Sequence, residues 1–345
     1  MAFQERQNGI SILLCSYNGE NKITPTLEKI LQQEFLQPIN WEVIFVDNNS
    51  TDATKDLVRS YSQNFAAKSI PFKILLEPKK GKFHALNLGI AQARYAYFII
   101  VDDDNWVQNN YVQKAYELIH SNPNIGAIGC YSEPVFEKDS PQQPTWLHED
   151  PERLALGNQG KEGFDNSRKH LWGAGMVSRT DIYAKLYSEY PSLLFDNDIE
   201  DIYIAEDTEY CLRLVLKGYE LHYSSQLKIK HFMPNERLTD EYWTNLNNKI
   251  NNSFKIIDLY HAIWKLRSKK YESKFAKTRL RIVTPLRYLF SINKLKRKRN
   301  KILLGFLYPS TTFNTKCISI LNAFLNDKSL INPNTLKQAE SHENS

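Results

Sequence analysis

Short apolar segments alternate with segments of helical periodicity over the first hundred residues of the chain. Each apolar segment has the length of a buried strand, and these segments lie at 10–15, 41–46, 72–76 and 97–101. The intervening segments repeat apolar residues at helical spacing, which predicts helices over 23–33, 51–61 and 83–93. In the first helix, Thr24 is the predicted cap and Pro25 the predicted first helical residue. Strands that alternate with helices predict an α/β fold, with a mostly parallel sheet covered on both faces.

Polar clusters follow three of these strands. Ser16-Tyr17-Asn18 follows the first strand, residues 47–52 follow the second, and Asp102-Asp103-Asp104 follows the fourth. Ligands in such sheets bind beyond the carboxyl ends of the strands, so the clusters mark a candidate site. Three adjacent carboxylates repel one another and are costly to bury, and a divalent cation removes both problems. Such oxygen ligands suit Mg²⁺ or Mn²⁺ shared with substrate phosphates, whereas a solvated acidic loop is the alternative interpretation.

The alternation breaks over residues 132–168, where prolines and glycines mark a long irregular segment. Segments of this length are usually functional or mobile. Order resumes at 171–177, and the pattern then predicts a helix over 208–217, ended by Gly218, and a strand over 219–223. From Asp240 onward the chain is helical, basic and aromatic in pattern, and residues 332–345 have the composition of a disordered tail.

Composition is that of a soluble protein able to bury a large core. The 345 residues are 42% hydrophobic and 24% charged, and the four scattered cysteines predict neither a disulfide framework nor a zinc site. Their spacing fits a reducing compartment. Residues 1–9 are polar, unlike a signal peptide, and no apolar run approaches the ~20 residues of a membrane span. We therefore expect a cytoplasmic protein, with peripheral attachment to the inner face of the membrane as an option.

The charge is distributed unevenly. Residues 261–301 carry 15 lysines and arginines and a single acid, Glu272, whereas acidic residues outnumber basic ones in the rest of the chain. A basic and aromatic helical region can lie on an anionic membrane surface. A solvated interaction surface is the plainer alternative, and the absence of a nucleic-acid-binding motif argues against nucleic acid as a partner.

Five motifs in order resemble those of the family 2 glycosyltransferases of the GT-A fold, over roughly residues 9–238. The segments that carry the resemblance are 10–18, 47–52, 81–90, 102–104 and 206–209. Arg213 and Gly218 also fall where the family usually has them. The second segment departs from the family, because Asn48 and Asn49 replace the usual Asp-Gly pair, which leaves the preferred nucleotide base open.

The resemblance implies a donor site and a metal site. It places Asp104 as the direct ligand of Mg²⁺ or Mn²⁺, with Asp102 and His231 as further metal contacts. The residues that it assigns to the donor nucleotide are Ser16, Tyr17, Asn18, Asp47, Asn49, Lys82, Asp102 and Asp103. A divalent ion that bridges the diphosphate would stabilise the negative charge that grows as the sugar leaves. Helix capping by Asp47, an outward-facing Asp103 and a structural His231 remain open alternatives.

The resemblance also implies a general base and an acceptor loop. Asp207 is the candidate base that removes the proton from the attacking alcohol, and Glu206 is expected to support it. One base and direct displacement imply inversion at the anomeric carbon. Trp172, Gly173, Ala174 and Gly175 are the candidate acceptor contacts. Core packing of Trp172, and an acidic first helical turn for the carboxylate pair, are the structural alternatives.

These features predict an inverting, metal-dependent glycosyltransferase that acts in polysaccharide or glycolipid assembly. The expected partners are a nucleotide-sugar donor, with a UDP-sugar favoured, and a glycan or lipid-linked acceptor. The predicted organisation is a GT-A domain over 1–239, a basic helical region over 240–331 and a disordered tail over 332–345. A nucleotidyltransferase and a sugar-nucleotide-binding scaffold without catalysis are the alternatives.

Overall fold

The computed structural model describes residues 6–140, 142–165, 167, 169–195, 204–267, 274–292, 296–297, 300–301, 304 and 315–335. Within these residues the strands form a single sheet. In chain order the strands are β1 (Gln7–Ser16), β2 (Trp41–Asp47), β3 (Phe72–Leu76), β4 (Tyr95–Asp102), β5 (Asn105–Val107), β6 (Ile125–Phe136), β7 (Gly163–Phe164), β8 (Val177–Arg179) and β9 (Glu220–Met233).

The helices lie on both faces of this sheet and in the second half of the chain. In chain order they are α1 (Ile23–Leu31), α2 (Thr54–Ser60), α3 (Ser62–Ala67), α4 (Lys82–Gln92), α5 (Tyr111–Ser121), α6 (Thr145–Glu149), α7 (Thr180–Ser188), α8 (Glu206–Leu216), α9 (Asp240–Arg267), α10 (Lys274–Phe290) and α11 (Thr315–Asn326). Among the described residues no helix is both long and apolar enough to cross a bilayer.

The sheet order is β3-β2-β1-β4-β8-β6-β9-β5, with β7 paired to β9. The first four strands in this order are parallel, as are β6 and β9, while β5, β7 and β8 pair antiparallel. The predicted α/β class with a mostly parallel sheet is thus confirmed. The longest run of parallel pairs is β3-β2-β1-β4. The central strands are apolar on both sides because helices cover both faces of the sheet.

The predicted cap of α1 and the predicted start of α8 differ from the structure. Helix α1 begins at Ile23, because a turn in which Lys22 and Ile23 both donate their N–H groups to the carbonyl of Gly19 starts the helix early. Thr24 is therefore not its cap, and Pro25 is not its first residue. Helix α8 begins at Glu206 rather than at residue 208, after Ala205 in the left-handed conformation at φ 81°.

Strand β9 extends well beyond the predicted 219–223. The prediction ended at a polar stretch, Ser224-Ser225-Gln226, that forms an irregularity in the pairing with β6. Glu162 stabilises this irregularity, because its carboxylate accepts hydrogen bonds from the Ser224 hydroxyl at 2.6 Å and from the Ser225 N–H at 2.9 Å. The strand then continues and places His231 opposite Asn105 of β5. This continuation brings the end of β9 to the candidate site.

The described C-terminal residues pack onto the same core as the sheet. Apolar residues of α9 and α11, including Ile257 and Leu321, belong to one buried cluster with Leu13 of β1. The Lys217 ammonium at the end of α8 donates to the carbonyls of Phe324 and, at 2.7 Å, Asp327. Buried in this way, the ammonium fixes the C-terminal segment against α8.

The predicted disordered tail starts too early. Asn332 is buried, and its side chain donates to the Gly218 carbonyl and to the Asn124 side chain, each at 3.2 Å. Thr335 likewise donates its hydroxyl to the Gly218 carbonyl at 3.1 Å. Residues 332–335 are thus ordered by hydrogen bonds to the turn after α8, and residues 336–345 lie outside the described residues.

A buried ionic network ties α8 to α9. Arg213 and Glu209, both on α8, form an ion pair at 3.1 Å, and each is almost fully buried. The Tyr260 hydroxyl of α9 donates to Glu209 at 2.5 Å and accepts from Arg213 at 3.0 Å. The N–H of Leu193 and the hydroxyl of Ser192 complete the shell of the carboxylate. Because both charges are removed from solvent, each is stabilised only by its partners in the protein.

Replacing Arg213 by Met is expected to lower the free energy of unfolding by about 3–5 kcal/mol, because it leaves the Glu209 carboxylate buried without its cation. Urea denaturation followed by circular dichroism measures the change. Arg59→Met is the matched control, since Arg59 pairs with Asp56 at 3.4 Å on the exposed surface, where the effect should stay below about 1 kcal/mol. Equal shifts for the two variants would contradict the assigned role.

Candidate functional site

The candidate site lies at the carboxyl ends of the parallel strands. Register places Ser16 of β1 beside Asp47 of β2, and Cys15 of β1 beside Asp102 of β4. A cavity of about 380 Å³ opens at this edge, and we call it the polar cavity. The predicted site residues that line it are Ser16, Tyr17, Lys82, Asp102, Asp103, Asp104, Trp172, Gly173, Ala174, Asp207 and His231.

Five predicted site residues do not line the polar cavity. Asn18 and Asn49 adopt left-handed turns at φ 52° and 64°, and Asn18 accepts the Thr51 N–H at 2.9 Å. Asp47 is buried and accepts the Ser50 N–H at 3.0 Å, which closes its own turn. Asn49 and Glu206 line a second cavity described below. The fifth, Gly175, is considered with the acceptor loop.

Asp103 faces inward and holds the loop after β1. The Ser16 hydroxyl donates to its carboxylate at 2.5 Å, and the Lys22 ammonium lies 3.0 Å from the other oxygen. Burial raises the pKa of Asp103 although Lys22 opposes the shift. A Cβ at Gly19 would lie 2.6 Å from this carboxylate, so only glycine fits there. The Asp103 carboxylate therefore lines the cavity and is also bound by the side chains of Ser16 and Lys22.

Asp104 is the most strongly paired carboxylate of the triplet. The Arg237 guanidinium lies 2.7 Å from one oxygen, while Asn105 donates to the other at 2.9 Å. His231 Nε2 is 3.5 Å from that same second oxygen. Burial disfavours the charge, but Arg237 and then His231 outweigh burial and hold the pKa of Asp104 well below its usual range. The carboxylate is thus ionised and faces the cavity.

The triplet offers the oxygen donors that Mg²⁺ or Mn²⁺ requires. Asp102 and Asp104 both line the cavity, and His231 Nδ1 is buried without a hydrogen-bond partner among the described residues. Protein cations now contact both carboxylates, with Lys82 at 2.6 Å from Asp102. No group of three or more ligating side chains is arranged around a metal position within the described part of the chain. The chemistry of the donors fits a divalent ion, provided that Arg237 and Lys82 yield part of their contacts.

Lys82 lies between the carboxylates of Asp102 and Glu206. Its ammonium lies 2.6 Å from Asp102 and 3.8 Å from Glu206. Burial disfavours its charge, but these two carboxylates raise its pKa well above the usual lysine range. Asn48 positions the preceding turn, since its amide accepts the Gly81 N–H at 2.7 Å and donates to the Lys79 carbonyl at 2.7 Å. The sequence departure at Asn48 thus has a structural role, because an Asp there would lack the donor.

Asp207 is oriented by two backbone amides. Its Oδ2 accepts the Gly173 N–H at 2.9 Å, and its Oδ1 accepts the Thr208 N–H at 2.6 Å. Asp207 lies in the first turn of α8, which begins at Glu206. The Glu206 side chain beside it is 18% exposed, and burial, with Asp207 as a further cause, raises its pKa against the opposing effect of Lys82. The two neighbouring carboxylates therefore differ in environment.

The candidate acceptor loop, residues 172–175, is held by contacts that the sequence did not indicate. Gln159, from the irregular segment, accepts the Trp172 N–H at 2.7 Å and is fully buried. Gly175 has φ 72°, and a Cβ there would lie 2.6 Å from the Cys130 sulfur. Its carbonyl accepts the Tyr111 hydroxyl at 2.5 Å. Gly175 is thus required by packing and backbone conformation, whereas Trp172, Gly173 and Ala174 reach the polar cavity.

Several cavity residues were missed by sequence reasoning. Arg237 comes from a short 3-10 helix, Asn235–Leu238, directly after β9, and no motif singled it out. Arg153 comes from another 3-10 helix, Pro151–Leu154, inside the segment predicted to be irregular. That segment also contains α6 and the end of β6, so it is more ordered than predicted. Lys22, Asn48 and Tyr242 complete the set of unpredicted polar residues in the wall.

A second and larger cavity adjoins the first. It has a volume of about 1040 Å³, and we call it the apolar cavity. Lys82, Arg153, Trp172 and Asp207 line both cavities. The candidate base therefore stands in a wall that the two cavities share.

A family model and two curated relatives show similarity to this chain. The family model described as "Glycosyl transferase family 2" matches residues 11–174. Poly-beta-1,6-N-acetyl-D-glucosamine synthase of Staphylococcus epidermidis is 31% identical over 124 residues, a match that covers 36% of this chain and 28% of that relative. Dolichyl N-acetyl-alpha-D-glucosaminyl phosphate 3-beta-D-2,3-diacetamido-2,3-dideoxy-beta-D-glucuronosyltransferase of Methanococcus voltae is 26% identical over 227 residues, which are 62% of this chain and 64% of that relative.

Solved structures show the same fold. The crystal structure of S. aureus TarS 1-349 is 16% identical with a TM-score of 0.51, over 86% of this chain and 79% of that chain. The mannosyltransferase PcManGT from Pyrobaculum calidifontis, in complex with GDP-Man and Mn²⁺, is 16% identical with a TM-score of 0.53, over 94% of this chain and 84% of that chain. Both have the GT-A fold, which confirms the predicted architecture.

Proposed function

Residues 11–174 of this chain are a glycosyltransferase family 2 domain, and on that premise we propose that the chain transfers a sugar from a nucleotide-sugar donor to an alcohol acceptor, with inversion. The observation that carries the proposal is the position of Asp207. Its carboxylate is held by two backbone amides in the wall between two cavities. A base in that position can deprotonate an acceptor in one cavity as it attacks a sugar in the other.

The donor occupies the polar cavity in this proposal. Ser16, Tyr17 and Asp102 supply polar contacts for the nucleoside, while Lys82 and Arg237 supply positive charge for the diphosphate. Charge develops on the diphosphate as the sugar leaves, so positioned cations lower the barrier. The complexes of TarS with UDP-GlcNAc and of PcManGT with GDP-Man support a nucleotide sugar as the donor class. A UDP-sugar remains our preferred donor.

We include Mg²⁺ or Mn²⁺ as the cofactor. Asp104 is its proposed direct ligand, with Asp102 and His231 nearby, and PcManGT with Mn²⁺ supports this choice. When bound, the ion supplies Lewis-acid stabilisation of the diphosphate. With the ion held by Asp104, the Arg237 guanidinium, which lines the same cavity, would be available to pair with the phosphates.

The acceptor is proposed to be a glycan or a lipid-linked saccharide. Trp172 lines both cavities although it is only 6% exposed, and the backbone of Gly173 permits close approach of a sugar in the polar cavity, which Ala174 also lines. The names of the two relatives, a polysaccharide synthase and a transferase acting on a dolichyl-linked saccharide, support polysaccharide or glycolipid assembly.

The test is incubation of the full chain with a panel of UDP- and GDP-sugars and Mn²⁺, followed by analysis of released nucleotide and sugar. Hydrolysis of one donor to the nucleoside diphosphate and a sugar of inverted configuration is the expected result. Release of pyrophosphate from a nucleoside triphosphate would instead identify a nucleotidyltransferase. Tight donor binding without turnover, with or without sugar alcohols, would identify a scaffold.

We also propose that α10 contacts an anionic membrane. Its exposed apolar residues Ile282, Leu286 and Leu289 share one face, because they are spaced by four and three positions. Arg279 lies at the edge of that face, and Arg287 is also exposed on α10. Residues 268–273, 293–295 and 298–299 of the basic region lie outside the described residues, so the proposal rests on α10. Apolar burial combined with lysine and arginine attraction is typical of interfacial helices.

Ile282→Ser combined with Leu286→Ser is expected to abolish co-sedimentation of the full chain with anionic liposomes. Arg279→Gln combined with Arg287→Gln should weaken it by about tenfold or more, since each arginine contributes ~1 kcal/mol. Leu36→Ser is the matched control, because Leu36 is 94% exposed in the segment between α1 and β2. Equal sedimentation with neutral liposomes, or no effect of the α10 changes, would contradict a membrane role.

A further inference from the structure

The apolar cavity has walls that no catalytic role requires. One wall is α9, which contributes Ile250, Phe254 and Ile257. The opposite wall holds Phe83 and Phe195, whose rings stack with centroids 5.1 Å apart. Phe254 is 42% exposed, although it is a large apolar residue. These side chains form an apolar patch in a cavity of about 1040 Å³ whose other lining residues are mostly polar or charged, so the patch suits the apolar part of an amphiphilic ligand.

The polar end of this cavity coincides with the candidate reaction centre. Asp207 and Trp172 belong to both cavities, and Glu206 lies in the wall of the apolar one. If the donor fills the polar cavity, the attacking hydroxyl must approach Asp207 from elsewhere, because displacement with inversion occurs opposite the leaving group. The apolar cavity is the opening that reaches Asp207 from another side.

The rim of the cavity carries exposed lysines. Lys79 and Lys80 lie on the turn before α4, and Lys249 lies on α9. The acidic rim residues are Asp150, which pairs with Arg153 at 2.5 Å, and Glu152. The rim thus presents three exposed ammonium groups toward solvent beside the apolar walls. Lysine binds phosphate as a compact point charge.

We infer that the apolar cavity binds the hydrocarbon chain of the acceptor, and that this acceptor is a saccharide joined to the chain through phosphate. The inference rests on the proposed function and specifies its acceptor. The saccharide lies at Trp172 and Asp207, the phosphate meets the rim lysines, and the hydrocarbon chain packs between α9 and Phe83. A neutral polysaccharide would leave the apolar walls uncovered and would not neutralise Lys79 or Lys249, whereas Lys80 already contacts the Tyr17 hydroxyl at 3.4 Å.

Calorimetric titration of the full chain with n-decyl phosphate, below its micellar concentration, tests the inference. Saturable 1:1 binding is expected, at least tenfold tighter than that of inorganic phosphate or of n-decyl maltoside. Ile250→Trp, which fills the cavity, should weaken this binding by about tenfold or more, and Lys249→Gln by about threefold. Phe254→Ser removes volume instead of adding it and should also weaken binding, so the outcome does not depend on one variant.

Asn251→Trp is the matched control, because Asn251 is the exposed neighbour of Ile250 on α9 and does not line the cavity. Its binding should equal that of the wild type. Equal affinity for decyl maltoside, equal affinity for inorganic phosphate, or no effect of Ile250→Trp and Phe254→Ser would each overturn the inference. Acceptor-free hydrolysis of nucleotide sugars by the wild-type chain reports on the proposed function separately, since it requires no ligand in the apolar cavity.

Discussion

Replacing Asp207 by Asn is expected to slow sugar transfer by about 10²–10⁴-fold while donor binding stays within a few-fold of the wild type. An amide cannot accept the proton of the attacking alcohol. Its oxygen can still accept the Gly173 N–H that now bonds Asp207 at 2.9 Å, so the acceptor loop keeps its position. Single-turnover transfer rates and calorimetric titration with the nucleotide sugar measure the two effects.

Glu206→Gln is the comparison that assigns the base. Glu206 is 18% exposed and lies 3.8 Å from the Lys82 ammonium, and burial raises its pKa, so a neutral amide keeps the shape of the side chain and removes only this long ion pair. We expect a loss of about tenfold or less for this variant. A larger loss for Glu206→Gln than for Asp207→Asn would transfer the role of base to Glu206.

Replacing Asp104 by Ala is expected to abolish measurable turnover and to weaken nucleotide binding in Mg²⁺ or Mn²⁺. A metal that stabilises the leaving diphosphate contributes several kcal/mol, which corresponds to a loss of about 10³-fold or more. EDTA should cause the same loss of turnover in the wild type, and added Mn²⁺ should restore the turnover. Nucleotide-sugar hydrolysis and titration with the nucleoside diphosphate are the measurements.

Arg237→Met separates the metal from the guanidinium that contacts Asp104 at 2.7 Å. If a metal is required, this variant should retain EDTA-sensitive activity, reduced because the diphosphate loses one cation. Full wild-type activity in EDTA together with an inactive Arg237→Met variant would show that Arg237 replaces the metal, and would contradict the assignment of Asp104 as its ligand.

The sequence predicted what depends on local pattern. Apolar runs identified β1 to β4, and the polar clusters after them do meet at one edge, because parallel strands bring their carboxyl ends together. The roles assigned to Asp207, Asp104 and the donor residues remain predictions, although most of those residues line the polar cavity.

The features that sequence reasoning missed depend on distant contacts. Arg237 meets Asp104 across 133 positions of the chain, so no local spacing could indicate their pairing. The polar residues from Ser224 onward predicted the end of β9. The strand continues past them because Glu162, 62 residues earlier, stabilises the irregularity. The order of Asn332 likewise comes from Asn124 and Gly218. In each case the structural role of a polar residue depends on a partner that is distant in the sequence and close only in the folded chain.

The anchoring of the C-terminal segment on Lys217 has a consequence for synthesis on the ribosome. The Lys217 ammonium is buried, and its carbonyl partners Phe324 and Asp327 are made more than a hundred residues later. Until those residues emerge, the end of α8 carries an ammonium that must stay hydrated and apolar side chains without their cover from α11. Nascent chains that contain the whole candidate site therefore cannot yet complete their core. Such intermediates should depend on chaperones, and fragments that end near residue 239 should be prone to aggregation.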